Sequence, residues 1–120
     1  MNFLLRLTIY CFVAYTFTSA HVSAQSQAEM NQEAAANFKK ADAELNRTYS
    51  MLLASLDDEA RAKLKAAQRA WVVFRDAEAE YQMDAEARGG SMASMIYEGT
   101  RARLTKQRIA QLKEQSGNPR

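Results

Sequence analysis

From residue 26 to residue 56 the apolar positions recur at steps of three and four: Met30, Ala34, Phe38, Ala41, Leu45, Thr48, Leu52 and Leu56. That period is helical, and with no Pro or Gly in the way it predicts one long amphipathic helix. Ser26-Gln27-Ala28-Glu29 has the spacing of a capping box at its start. Ala, Leu, Glu, Lys and Gln, all strong helix formers, fill the interior. Ser55-Leu56-Asp57-Asp58-Glu59 then combines cap residues with acids suited to a helix N-terminus, so the chain turns and starts again. Leu64, Ala67, Trp71, Phe74, Ala77 and Tyr81 form the second stripe, which ends near Arg88, where Gly89-Gly90 supplies a left-handed stop. Ser91 is placed to cap a third helix carrying Met95, Ile96, Gly99, Ala102, Ile109 and Leu112. This stripe is weaker, interrupted by Thr100, Arg103 and Lys106, and it fades into the polar Ser116-Gly117-Asn118-Pro119. Strand-like alternation is missing. The expected fold is all-α, a three-helix up-down-up bundle dominated by a long antiparallel hairpin of the first two helices, with a coiled-coil-like variant compatible with the same spacing.

The first 24 residues follow a different rule. Arg6, an apolar run from Leu7 to Tyr15 and small residues ending Val22-Ser23-Ala24 have the layout of a secretory signal peptide. The division expected is a signal peptide at 1–24, a helical domain at 25–115 and a flexible tail at 116–120. The apolar run is shorter than the roughly 20 residues of a membrane span, so a soluble exported protein, periplasmic or secreted, is expected. Cys11 is the only cysteine. It lies inside the apolar run without the small residues of a lipoprotein signal before it, and the processed chain has no thiol to form a disulfide.

Charge is distributed unevenly. Residues 25–60 carry seven acids and three bases, residues 61–87 five of each, and residues 88–120 two acids and seven bases. The ends of the processed chain should therefore attract each other. A basic C-terminal segment alone would fit nucleic acid or an anionic membrane, but an exported chain meets little nucleic acid, and internal complementarity accounts for the pattern.

Two places concentrate polar chemistry. Gln68, Trp71 and Arg75 share one helical stripe, which suits either a binding hot spot or a core layer with satisfied polar partners. Folding the hairpin at residue 57 sets Asn46 opposite Gln68 and Asp42 within a turn of Arg75. The layer expected is Asp42 with Arg75 and Asn46 with Gln68, fixing the register of an apolar seam. The second place is Arg88-Gly89-Gly90-Ser91, a loop with a cation and bare backbone. It reads as a simple turn or as a partner-binding loop able to reach the paired carboxylates of a glycosidase cleft. Met83, Met92 and Met95 surround this loop and would suit Cu(I), though Met also fills irregular gaps. The processed chain lacks His and Cys, and its Gly-Gly-Ser has no base beside it, so no catalytic site, cofactor or metal is assigned.

Gln27-Ala28-Glu29-Met30-Asn31, Ala41-Asp42-Ala43-Glu44-Leu45-Asn46 with Tyr49, Leu64-Lys65-Ala66-Ala67-Gln68-Arg69-Ala70-Trp71 with Phe74-Arg75-Asp76, Gly89-Gly90-Ser91, and Leu104-Thr105 with Arg108 and Leu112 resemble the LprI-like lysozyme inhibitor domain family. The resemblance implies a small exported helical protein of bacteria that binds lysozyme and blocks it by occlusion. An envelope structural or stress module docking a helical partner is the competing expectation. Family members often carry helix-tying cysteines, and the corresponding positions here are Glu33, Ala79 and Thr100. A lost staple of that type is worth about 2–4 kcal/mol, which burial and helix propensity must replace.

Overall fold

The computed structural model describes the backbone of residues 3–117 and the side chains of residues 26–117. Three helices follow one another: α1 (Phe3–Ser55), α2 (Asp58–Ala87) and α3 (Ala93–Ser116). Among the described residues no strand occurs, and no helix is long and apolar enough to cross a membrane. The chain divides into two compact units, Met1–Met30 and Asn31–Arg120. The second unit is the helical bundle.

α1 differs from the expectation at its start. Ser26 lies within a continuous helix, so the capping box does not form. The physical reason is direct: with helical backbone upstream, the amides of residues 27–29 find carbonyl partners one turn earlier and need no side-chain cap. Side chains of the expected signal peptide, residues 1–24, lie outside the described ones. At the other end Ser55 Oγ donates to Leu52 O (2.7 Å). Arg61 reaches back from α2 to donate to the carbonyls of Leu53 (3.2 Å) and Leu56 (3.0 Å). These bonds satisfy carbonyls that a helix end leaves open.

α2 begins as the acids predict, with Asp57 Oδ1 accepting the Ala60 amide at 2.8 Å. It ends as the glycines predict, with Gly89 at φ 71°. Ser91, however, does not cap α3. Met92 holds the N-cap position without a side-chain bond, and Ala93 N donates instead to Gly90 O at 3.1 Å. A tight backbone turn has taken over the role expected of a hydroxyl. At the far end Ser116 is the last residue of α3, its Oγ donating to Lys113 O (2.7 Å). Of the expected tail, Asn118–Arg120 lie outside the described residues.

The core draws on all three helices: Leu45 and Leu52 from α1, Leu64 from α2, Ile109 and Leu112 from α3, with Tyr49, Leu53, Leu56 and Trp71 packed around them. Full burial of each such side chain contributes roughly 1.5–3 kcal/mol. The α1 stripe points inward from Ala41 onward, while Met30 is exposed. In α3 Ala102, Ile109 and Leu112 are buried as expected, together with Leu104, Thr100 and Thr105. Gly99 is exposed.

α2 departs most from its pattern. Leu64 is buried and Trp71 half-buried, but Ala67, Phe74, Ala77 and Tyr81 face solvent. Gln68, Arg75 and Ala79 are buried in their place. The helix has turned most of its apolar stripe outward because its polar stripe has partners inside.

Candidate functional site

The partners form a ladder in which aromatic rings and guanidinium groups alternate. Arg101 lies between Tyr97 (5.1 Å to the ring centroid) and Phe38 (3.7 Å). Arg75 lies between Phe38 (5.1 Å) and Trp71 (5.3 Å). Arg108 completes the series at 5.9 Å from Trp71. α1 supplies Phe38, α2 supplies Trp71 and Arg75, and α3 supplies Tyr97, Arg101 and Arg108. Planar guanidinium groups suit this place because they stack on rings and still present N–H donors at their edges.

Those donors are used. Arg75 donates from Nη1 to Asp42 Oδ1 (3.2 Å) and from Nε to Asp76 Oδ1 (2.8 Å). The same Asp76 oxygen accepts from Arg101 Nε at 3.1 Å, and Arg101 Nη1 also pairs with Glu98 (3.4 Å). Burial pushes the Asp76 carboxyl upward, but the hydrogen bonds and charges of Arg75 and Arg101 together outweigh it and hold the group below its ordinary range. A carboxylate held ionised in this way is a structural acceptor and a poor proton donor. Arg75 has a side chain only 5% exposed. Its charge is tolerable there because two acids meet it.

The expected pair of Asp42 with Arg75 is therefore present. The pair of Asn46 with Gln68 is not: Asn46 is exposed, and Gln68 Oε1 accepts from Arg108 Nε at 3.0 Å. A hairpin of two helices left out the third, which supplies a stronger, charge-assisted donor. Burial lowers the pKa of Arg108. Sequence reasoning also missed Tyr97, Arg101 and Arg108 as ladder members. Their spacings, i, i+4 and i, i+11, mark one face of α3, and the seven-residue step from Arg101 to Arg108 repeats that from Gln68 to Arg75.

The charge asymmetry resolves as Lys113 Nζ donating to Glu44 Oε1 at 2.9 Å, a bond from α3 to α1. That hydrogen bond and the Lys113 charge lower the Glu44 pKa. Of the positions matched to family cysteines, Ala79 and Thr100 are buried and Glu33 is exposed. Thr100 Oγ1 donates to Gln82 Oε1 at 3.1 Å, a hydrogen bond from α3 to α2.

The Arg88-Gly89-Gly90-Ser91 loop is exposed throughout. The Arg88 side chain is 83% exposed and lies 3.6 Å from Asp84. A Cβ on Gly89 would meet nothing within 4 Å, whereas one on Gly90 would stand 3.2 Å from Ala87 O. The loop is tied to α1 by Asn31 Nδ2 donating to Ser91 O at 3.2 Å. Met92 is exposed, and Met83 and Met95 are half-buried. A shallow groove of about 600 Å³ lies near the α1–α2 turn, lined by Leu52, Leu56, Lys63, Leu64 and Arg108 among others. Among the described residues no cluster of three His, Cys, Asp or Glu side chains is arranged to hold a metal ion.

Comparison with known proteins agrees with the architecture and gives it a family. A crystal structure of a DUF1311 family protein from Pseudomonas putida KT2440 shares the fold, with a TM-score of 0.67 and 22% identity, over 76% of this chain and 94% of that one. An uncharacterized protein of Rhizobium meliloti (strain 1021) is 42% identical over 104 residues, 76% of this chain and 74% of the relative. The family model described as lysozyme inhibitor LprI matches residues 18–112, a span that holds the whole ladder and the Gly-Gly loop, and the chain belongs to that family.

Proposed function

We propose that the chain is processed after Ala24 and acts in the periplasm or outside the cell as a small binding protein that blocks a lysozyme-type glycosidase by occluding its cleft. Family membership supports the target class. The observation that carries the choice of surface is the Arg88-Gly89-Gly90-Ser91 loop, where an 83% exposed guanidinium stands beside bare backbone. A cleft with two catalytic carboxylates offers such a cation a matched acceptor pair. The ladder then serves as the rigid base from which the loop is presented, and Trp71 belongs to that base.

The test is inhibition of chicken-type, goose-type and invertebrate-type lysozymes by the processed chain, repeated with Arg88→Ala and Ser91→Ala. Inhibition of one class, weakened at least about tenfold by the double change, is expected, since a lost charge-assisted bond is worth about 1.5–3 kcal/mol. Absence of inhibition in all three classes removes the reading. Full inhibition by the double variant moves the surface elsewhere.

One observation favours a second reading, an envelope structural or stress module that docks a helix. Val73, Phe74 and Tyr81 are 70%, 53% and 69% exposed on α2, more than scattered single exposures on one helix face.

A further inference from the structure

The exposed stripe of α2 has its own order. Ala67, Ala70, Phe74, Ala77 and Tyr81 follow steps of three and four, with Ala66 and Val73 alongside, and all are exposed. This is the spacing by which one helix packs against another. Alanine at its centre permits a close approach of two backbones.

Charges bracket the stripe on the same face. Moving outward from the middle, the N-terminal side has Lys63 and then Glu59, joined at 2.7 Å. The C-terminal side has Asp84 and then Arg88, at 3.6 Å. The signs are reversed between the two sides. If a second α2 is laid antiparallel about a point between Val73 and Phe74, Lys63 meets Asp84, Glu59 meets Arg88, Ala66 meets Tyr81, Ala70 meets Ala77 and Val73 meets Phe74. Each charge finds its opposite. A parallel pairing in register would set like against like at all four charged positions.

A second feature points the same way. α2 has no base in its last turn and carries Glu80, Asp84 and Glu86 in its C-terminal third, while Lys63, Lys65 and Arg69 lie toward its start. Beyond the first-turn acids this order opposes the helix dipole. An antiparallel neighbour reverses the penalty, because its basic half and its positive dipole end lie beside the acidic half.

We propose that the outer face of α2 is a homodimer interface in which two copies of this chain pair antiparallel across a two-fold axis between Val73 and Phe74. The proposal shares with the docking reading the premise that the stripe receives a helix, and it names the occupant. Such an interface is isologous, the same patch serving both subunits. Glu59, Lys63, Asp84 and Arg88 make alternating four-charge clusters at its two ends, which set direction and register.

The experiment uses the chain from Gln25 to Arg120, which retains every described buried residue, in sedimentation velocity over a concentration series. A monomer–dimer equilibrium is expected, and Phe74→Glu weakens it at least about 100-fold, because two carboxylates then meet near the axis. Lys63→Glu and Asp84→Lys each weaken it about tenfold, and the doubly swapped chain recovers. Helical circular dichroism and thermal midpoint in dilute solution stay unchanged in all of them, which separates lost pairing from lost folding. Residues 25–120 contain no cysteine, so Ala70→Cys with Ala77→Cys links two chains on oxidation, whereas Ala70→Cys alone does not. A monomer at every concentration, a dimer indifferent to Phe74→Glu, or cross-linking through Ala70→Cys alone overturns the proposal. The docking and lysozyme readings survive a monomeric result, since neither requires a second copy.

Discussion

α2 carries two stripes of the same pitch on opposite faces, and their polarity is inverted. The inward stripe holds Gln68, Arg75 and Ala79, and the outward one holds Ala70, Phe74, Ala77 and Tyr81. A polar side chain goes inside when its donors and acceptors are met there, and Arg75 finds two carboxylates and two rings. An apolar side chain stays outside when nothing in its own chain covers it. Burial on this helix is decided by partners, and hydrophobicity alone assigns the faces the wrong way round.

Arg75→Ala attacks the inward face most severely. It removes a stacked cation from between Phe38 and Trp71, strips Asp42 of its Arg75 donor and leaves Asp76 with Arg101 alone. A loss of about 3 kcal/mol is expected in urea unfolding, at the lower end for a broken buried pair because both acids are partly exposed. A loss near zero would mean that the ladder contributes nothing to stability. Gln68→Ala follows at about 1–2 kcal/mol, since the Arg108 Nε–H bond loses its acceptor where Gln68 is buried.

Thr105→Val tests the rule with the opposite sign. Thr105 is fully buried and its Oγ1 has no hydrogen-bond partner among the described residues, so replacement by an isosteric methyl should raise stability by about 1 kcal/mol. A decrease would show that the hydroxyl has a partner in solution. Acid titration gives a smaller effect. The Asp76 pKa is lowered from 3.8 in the folded chain, so its contribution is complete above that value and is lost as pH falls through the lowered one. Asp76→Asn should therefore flatten the stability profile below about pH 4. The smallest effect belongs to the outward face. Phe74→Ser and Tyr81→Ser should change the stability of the dilute monomer by less than about 0.5 kcal/mol, and a larger loss would place those rings in the core.

Much of the bundle was legible from the chain. The turn at Asp57 rests on an acid that caps with its own side chain, and the stop at Gly89 on a φ open to glycine. Asp42 and Arg75 met because folding at residue 57 sets Asp42 opposite Val72, within one turn of the oppositely charged Arg75. Asn46 and Gln68 satisfied the same arithmetic and did not meet, because Arg108 on α3 outcompetes a neutral amide. The α2 stripe misled for a different reason: Ala is small enough to suit either environment, so Ala67 and Ala77 do not identify the face that is covered. Ser91 failed as a cap because a helix start satisfied by a backbone carbonyl leaves no trace in the side chains.

Trp71, the single tryptophan of the chain, lies between Arg75 and Arg108 at the end of the ladder. Its fluorescence is thereby an internal optical gauge of the three-helix junction, needing no label. Two guanidinium groups beside one indole also give the gauge a sign. Iodide, drawn by their field, should quench the emission more efficiently than caesium, and unfolding should erase that preference.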